Sequence, residues 1–407
     1  MEKLHRRLYS IDALRGGAAL GVVLFHAFFL ERGYIIPGFS SAGAGLITGT
    51  LDRTLKLFFS YGFTGVFLFF VISGFCIHLR WTKAKAAGNG GDLGFISFWK
   101  RRFRRLYPAY LAALTIYLLV HYFTHQFQLS WFTAWDVGLH LLMLHNIDYR
   151  TVYSLNGVFW TLAIEEQLYL GYFLLLIIRG RFGWIKTLSF LLAGRFLMYG
   201  LGAFIRVAFN VYTPINEAAI SNWFIWALGA VSVEAVFGLL TLPSWCRKAR
   251  LGLAFLLLAG AMDYADRTVD AHGLIHLLLI TVITPLWGIG FFIVLNRIVS
   301  LESGWRSLGR VPSITRGLAA IGIFSYSLYL MHGLIQYQFT FFVPFLNNLP
   351  DATGQWVRLL ILSPLAVAFA WLFFRIFEKP FLAPPSYKIQ TAAIQAAAAS
   401  SATEAPV

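Results

Sequence analysis

The run IDALRGGAALGVVLFHAFFL, residues 11–30, decides how this chain is read. It is apolar along most of its length, and a helix rising about 1.5 Å per residue over twenty residues crosses a bilayer core of roughly 30 Å. Yet it carries Asp12, Arg15 and His26. A charge near the bilayer centre costs about 3 kcal/mol or more, so such groups mark a functional site unless they snorkel or form a structural ion pair. Arg15 and His26 are 11 residues apart. That is about three turns, so they share one helix face roughly 16 Å apart along the axis. Gly16, Gly17, Ala18, Ala19 and Gly21 make this helix slim, open to close approach by other helices or a substrate.

Similar apolar runs recur along the whole chain. Of the 407 residues 58% are hydrophobic and 13% charged, against about a quarter charged in soluble domains. A soluble core could not hide so many runs, and no alternating strand pattern points to a barrel. The expected fold is all-α: a polytopic transmembrane helical bundle of about ten spans, near 11–30, 56–79, 104–123, 158–178, 186–208, 221–240, 251–265, 272–297, 317–338 and 355–377. Residues 136–147 are apolar but short and are read as one re-entrant or interfacial helix. Left uncrossed, that segment puts about 25 basic residues on one side and about seven on the other, the bias of the positive-inside rule. Both termini are therefore expected in the cytosol. The net charge of +15 sets topology on this reading, and nucleic acid is not expected as a partner; the bilayer is.

The first run shows no signal-peptide cleavage site. Cys76 and Cys246 fall near cytosolic span ends, so no structural disulfide is expected. Residues 84–94 read as a flexible cytosolic link. Residues 1–383 form the membrane domain, and 384–407, rich in Ala, Ser and Thr, a disordered cytosolic tail.

Other spans carry ionisable groups as well. The fourth contains Trp160, Glu165, Glu166 and Tyr169. Neighbours on a helix point about 100° apart, so at most one of the two glutamates faces the His26 region. The ninth carries Ser325, Tyr329 and His332 at i, i+4 and i+7, on one face. His26, His332 and a glutamate are thus expected at similar depth, in the outer third of the membrane. Arg102 and Arg105 enter the third span from the cytosol one turn apart. Guanidinium pairs suit phosphate; the competing role is topogenic. Arg195, in mid-span, has no partner identifiable from sequence. His78, His121, His125, His272 and His276 lie near span ends. No metal site is expected, since ligation needs three or four convergent donors.

These segments together resemble the acyltransferase-3 family of membrane acyltransferases, which modify sugars, peptidoglycan and lipids. The resemblance covers about residues 8–383. It rests on Ile11-Asp12-x-x-Arg15-Gly16 with His26 after it, and on the Phe-rich run from Gly65 ending Ser73-Gly74-Phe75. It continues with Arg102-x-x-Arg105 before Pro108, Trp160-x-Leu-x-x-Glu165-Glu166-Gln-x-Tyr169, Ser325-Tyr-Ser-Leu-Tyr329-Leu-x-His332 and Glu378-Lys-Pro380. The family has ten core spans with cytosolic termini, in agreement with the charge argument. Some relatives carry an esterase-like domain after the last span; none is expected here.

The resemblance implies transfer of an acyl group, usually acetyl, from cytosolic acyl-CoA to a hydroxyl of a glycan or lipid-linked acceptor, a polysaccharide-modifying reaction of a bacterial inner membrane. On that reading Arg102, Arg105 and Arg15, with Ser73, bind the donor. His26 is the general base, or forms an acyl-histidine intermediate. Glu165 or His332 orients it. Asp12, Trp160, Glu166, Tyr169, Ser325 and Tyr329 support the site. The rival class is a transporter or flippase for a lipid or sugar, which Gly/Pro-interrupted helices in paired halves would favour; no such pairing is found.

Overall fold

The computed structural model describes residues 8–28, 54, 57–88, 94–124, 130–268, 273–307, 311–338, 343 and 351–382. These are helical with short connections, and no strand occurs among them. The helices are α1 (Tyr9–Phe28), α2 (Gly65–Ala86), α3 (Phe95–Phe123), α4 (Trp131–Leu141), α5 (Trp160–Phe209), α6 (Ala219–Val236), α7 (Ala249–Thr268), α8 (Gly273–Ser307), α9 (Ser313–Ile323), α10 (Ser325–Gly333), α11 (Asp351–Val357) and α12 (Ser363–Phe373). The proposed tail, the residues before Leu8 and His125 and His272 lie outside the described residues.

Among the described residues six helices are long and apolar enough to cross a membrane, and a seventh span arises if α9 and α10, bent by 66°, count as one. The ten crossings expected from sequence are therefore not matched one to one. One reason is α5, which runs 50 residues through Gly183 at φ 74°, ψ 172°. Unbroken, it would set residues 167 and 199 about 48 Å apart. Instead Asn146 donates to both Gln167 (3.2 Å) and the Glu217 carbonyl (2.8 Å), while Tyr199 donates to Asn216. Both halves return to one loop, so the chain reverses at Gly183, whose positive φ a side chain would strain. The two spans expected at 158–178 and 186–208 are the two arms. The 11-residue α4 is about 17 Å long and too short to cross. Its N-terminus is capped by Ser130, which accepts from the Thr133 amide at 3.2 Å.

Close backbone contact holds α1 in place. A Cβ on Gly16 would overlap the Leu318 carbonyl, and one on Gly322 the Asp12 carbonyl. α1 and α9 therefore cross main chain to main chain. The slim face of α1 is used for helix packing at Gly16 and, against Gly62, at Gly21; only Gly17 faces open space. Glu302 of α8 accepts from the Tyr9 (3.1 Å) and Ser10 (2.9 Å) amides, satisfying orphan donors at the start of α1. The same close approach joins α2 to α6, where Gly74 meets the Trp226 backbone and Gly229 the Val71 carbonyl. Around that crossing lies the larger core, with Phe70, Phe75, Ile164, Tyr172 and Trp226.

Arg195 does have partners. It is 1% exposed and donates from Nε to the Thr281 carbonyl at 2.9 Å, and from Nη2 to the Ile280 carbonyl at 2.9 Å and Tyr199 at 3.0 Å. It also donates to the Ser221 carbonyl. The physical reason lies four residues beyond Thr281. Pro285 sits inside α8 and has no N–H, so the Thr281 carbonyl loses its helical donor. Arg195 replaces it, as neighbouring groups must in a membrane. Sequence could not pair the two because the partner is a carbonyl exposed by a proline in another helix.

Candidate active site

The site has two ends, joined by α1. At one end Arg15, Arg102, Arg105, Ser73, Cys76, Glu165, Tyr169, Ser325, Tyr326, Tyr329 and Thr161 line a cavity of about 100 Å³. The three arginines come from α1 and α3, and Glu165 is the carboxylate in the lining. Tyr169 donates to Glu165 at 2.9 Å and meets Ser73 at 3.4 Å, while Trp226 donates to Ser73 at 3.2 Å. The Arg102 guanidinium lies 5.4 Å from the centre of the Tyr169 ring, a cation–π placement that fixes its direction. Glu378 accepts from the Ser327 amide at 3.2 Å and from its hydroxyl. It lies within electrostatic reach of Arg15 and Arg105. Three cations thus share the lining with a single carboxylate, Glu165, and their guanidinium donors suit an anion.

At the other end His26 and His332 meet, Nδ1 to Nε2 at 3.0 Å. Their rings stack with centroids 5.1 Å apart. The hydrogen bonds assign the tautomers. His332 Nδ1 faces the carbonyls of Leu328 (3.0 Å) and Tyr329 (2.9 Å), so it is the protonated nitrogen. His332 Nε2 must then accept, and His26 Nδ1 must donate. This leaves the lone pair of His26 on Nε2, free for a proton. The neutral His332 holds the ring of His26 and can accept from its imidazolium form, as a triad carboxylate does. Gln336 donates to the Val23 carbonyl (3.0 Å) and Arg358 to that of Ala27 (3.3 Å), which fastens this end of α1 to the π-helical turn Leu334–Gln338 and to the last span.

Tyr329 joins the two ends. It lines the cavity, accepts from Thr161 at 2.7 Å, donates to the Val158 carbonyl at 3.0 Å, and its ring lies 5.9 Å from that of His332. These contacts correct the expected depth of Glu165. Thr161 is level with Tyr329; His332 lies three residues outward of Tyr329 and Glu165 four residues inward of Thr161. The separation is about 10 Å along the bundle, too far for Glu165 to hold His26. The reason is the register of α5 against α10: the Thr161–Tyr329 contact sets Glu165 one turn further along α5, on the arginine side. Glu165 sits with the arginines, and His332 alone of the two holds His26.

The remaining sequence candidates divide similarly. Ser325 and Tyr329 line the cavity; Glu166 is buried but does not. Trp160 starts α5 and meets the Tyr153 ring edge-on at 6.5 Å, away from the cavity. Asp12 meets Gly322 through its backbone carbonyl. Cys76 and Tyr326 line the cavity and were not singled out; one lies three residues past Ser73 and the other inside the Ser325 motif, which was the available signal. Both cysteines are free. Among the described residues no group of three or more His, Cys, Asp or Glu is placed to hold a metal.

His78, read as interfacial, belongs to a separate buried network. It meets Glu234 at 2.8 Å and Tyr172 at 3.0 Å, and Glu234 also accepts from Trp184 (2.9 Å) and Arg179. This ties α2 and α6 to the Gly183 reversal. Outside the spans, Asp136 meets His140 at 3.1 Å and His140 stacks on His145 at 3.9 Å. Burial and the adjacent His140 push His145 down to about 3. The bidentate Arg150 holds Asp148 down to about 2.

A family model described as an acyltransferase domain matches residues 8–375. Among curated proteins, the chain is 29% identical over 221 residues to the peptidoglycan O-acetyltransferase OatA of Listeria monocytogenes, covering 50% of this chain and 29% of that protein. It is 28% identical over 183 residues to the O-acetyltransferase OatA of Staphylococcus aureus, covering 42% and 25%. It is 29% identical over 177 residues to the putative peptidoglycan O-acetyltransferase YrhL of Bacillus subtilis, covering 41% and 23%. The chain thus spans less than a third of the length of the curated relatives it matches. No solved structure matches it.

Proposed function

Because the chain belongs to the acyltransferase-3 family of acyltransferase domains, we propose that it moves an acyl group, acetyl in the first instance, from cytosolic acyl-CoA to a glycan hydroxyl on the outer side. Peptidoglycan, the acceptor for which two of these relatives are named, is the first acceptor to test, with lipid-linked glycans next. The observation that carries this reading is that one helix, α1, places Arg15 in a cationic cavity and His26 in a histidine pair roughly 16 Å away. A donor with an anionic head and a long arm ending in a thioester fits such a layout.

In this reading Arg102, Arg105 and Arg15 hold the donor phosphates. Glu165 and Glu378 balance part of their charge, and Glu165 fixes the Tyr169 hydroxyl. The arm runs from the cavity past Ser73 and Tyr329 toward the histidine pair. His26 Nε2 takes the proton of the acceptor hydroxyl as its oxygen attacks the thioester carbonyl. The new ester C–O bond forms, the C–S bond breaks, and the imidazolium returns its proton to the leaving thiolate. His332 supports the charge on His26 meanwhile. General-base assistance of this kind is worth about 10²–10⁴ in rate.

The test is reconstitution with isotopically labelled acetyl-CoA on the basic face and glycan on the other. Label esterified to the glycan, with free CoA released, is expected. Movement of glycan or lipid across the bilayer without esterification would replace this reading with transport.

A further inference from the structure

A second cationic recess lies where the chain leaves α6 and enters α7. Arg247, Lys248, Arg250 and, from α8, Arg297 line it, together with Trp245, Leu251 and Ala254, around a volume of about 710 Å³. It shares no residue with the cavity of Arg15, Arg102 and Arg105. All four basic side chains are exposed, and no carboxylate lines the recess. The reaction proposed above has no use for them.

Two features indicate what they bind. Cations are unfavourable at a helix N-terminus, where the backbone dipole is positive. Arg247, Lys248 and Arg250 crowd the start of α7 at Ala249, and an anion there relieves both the dipole and their mutual repulsion. The walls, in turn, are apolar. Trp245 is 43% exposed, and beyond it α7 presents Leu253, Leu257 and Leu258 at 50% exposure or more. A free phosphate ion gains nothing from such a wall, whereas an amphiphile does. The recess follows the end of α6 that holds Glu234 against Arg179 and Trp184, beside the Gly183 reversal. That is the end where the basic connections gather, which charge bias assigns to the cytosolic leaflet.

We propose that this recess binds an anionic phospholipid, with the headgroup phosphate among Arg247, Lys248, Arg250 and Arg297 and an acyl chain along α7. Lipid phosphate and free phosphate share this chemistry, so the test separates them. Purified full-length protein is exposed to phosphatidylglycerol, phosphatidylcholine or inorganic phosphate, and retained lipid is counted by native mass spectrometry. Wild type should retain phosphatidylglycerol at least about tenfold over phosphatidylcholine, and inorganic phosphate should not displace it at millimolar concentration. One basic side chain near an anionic surface is worth about fivefold in affinity. Arg247→Gln with Arg297→Gln should therefore weaken retention about 25-fold, whereas Arg247→Lys with Arg297→Lys should keep most of it. Equal retention by the glutamine variant and wild type overturns the proposal. So does displacement of the lipid by phosphate, which would assign the recess to a free anion.

Discussion

Replacing Arg195 with methionine tests whether its buried charge serves the fold. Methionine keeps much of the side-chain bulk and removes every donor. Of the acceptors Arg195 reaches, the Ile280 and Ser221 carbonyls lie in helices that supply their own donors four residues on. The Thr281 carbonyl has Pro285 at that position and depends on Arg195 Nε at 2.9 Å. Orphaning one buried carbonyl costs about 1–3 kcal/mol, and relief of the arginine's own desolvation offsets part of the other losses. Pro285→Ala restores an N–H in register with Thr281. In that background Arg195→Met should cost less by about 1–2 kcal/mol. The assay is a double-mutant cycle on equilibrium unfolding in detergent, with acyl transfer measured per folded molecule. Additivity within about 0.5 kcal/mol would refute the link to Pro285. A folded but inactive Arg195→Met protein would move Arg195 into the reaction.

Three further outcomes follow from the same geometry. Arg102→Gln with Arg105→Gln should raise the apparent KM for the acyl donor at least about tenfold, since each charged hydrogen bond is worth about 1.5–3 kcal/mol. An unchanged KM would leave both arginines to topology. Gly322→Ala sets a methyl group into the Asp12 carbonyl and should lower stability by about 1–3 kcal/mol, read as a lower unfolding midpoint; wild-type stability would contradict the close α1–α9 crossing. His145, pushed down to about 3, is neutral when folded, while its unfolded value is near 6.5. The unfolded chain binds the extra proton between those values, so stability falls as pH drops from about 6.5 toward 3, by at most about 1.4 kcal/mol per pH unit. His145→Phe should flatten that slope between pH 7 and 5, and an unchanged slope would place the titration elsewhere.

The helical membrane fold was legible because apolar length is a strong signal and lipid permits few other folds. The boundaries were less so. Phe95–Phe103 extends α3 before the span expected at 104–123, because a cationic helix end needs no bilayer. The α5 reversal was visible only as a basic gap in the sequence, since Gly183 alone does not reveal its φ. For the site, spacing on one helix was reliable. Arg15 and His26 lie on α1 at opposite ends of the site, and Ser325, Tyr329 and His332 follow one face of α10. Depth between helices was not, since it depends on how neighbouring helices register, as the Thr161–Tyr329 contact does for α5 and α10. That is why Glu165 lies with the arginines. Partners that are backbone carbonyls, as for Arg195 and His332, leave no trace in side-chain patterns.

In the proposed reaction His26 Nε2 is the base and His332 its support. Acetyl transfer from acetyl-CoA to a glycan acceptor, measured on folded, reconstituted His26→Ala protein beside wild type, is the decisive experiment. A loss of about 10²–10⁴ in kcat, with donor binding retained in the arginine cavity, is the predicted result. Wild-type turnover by the folded His26→Ala protein would contradict it.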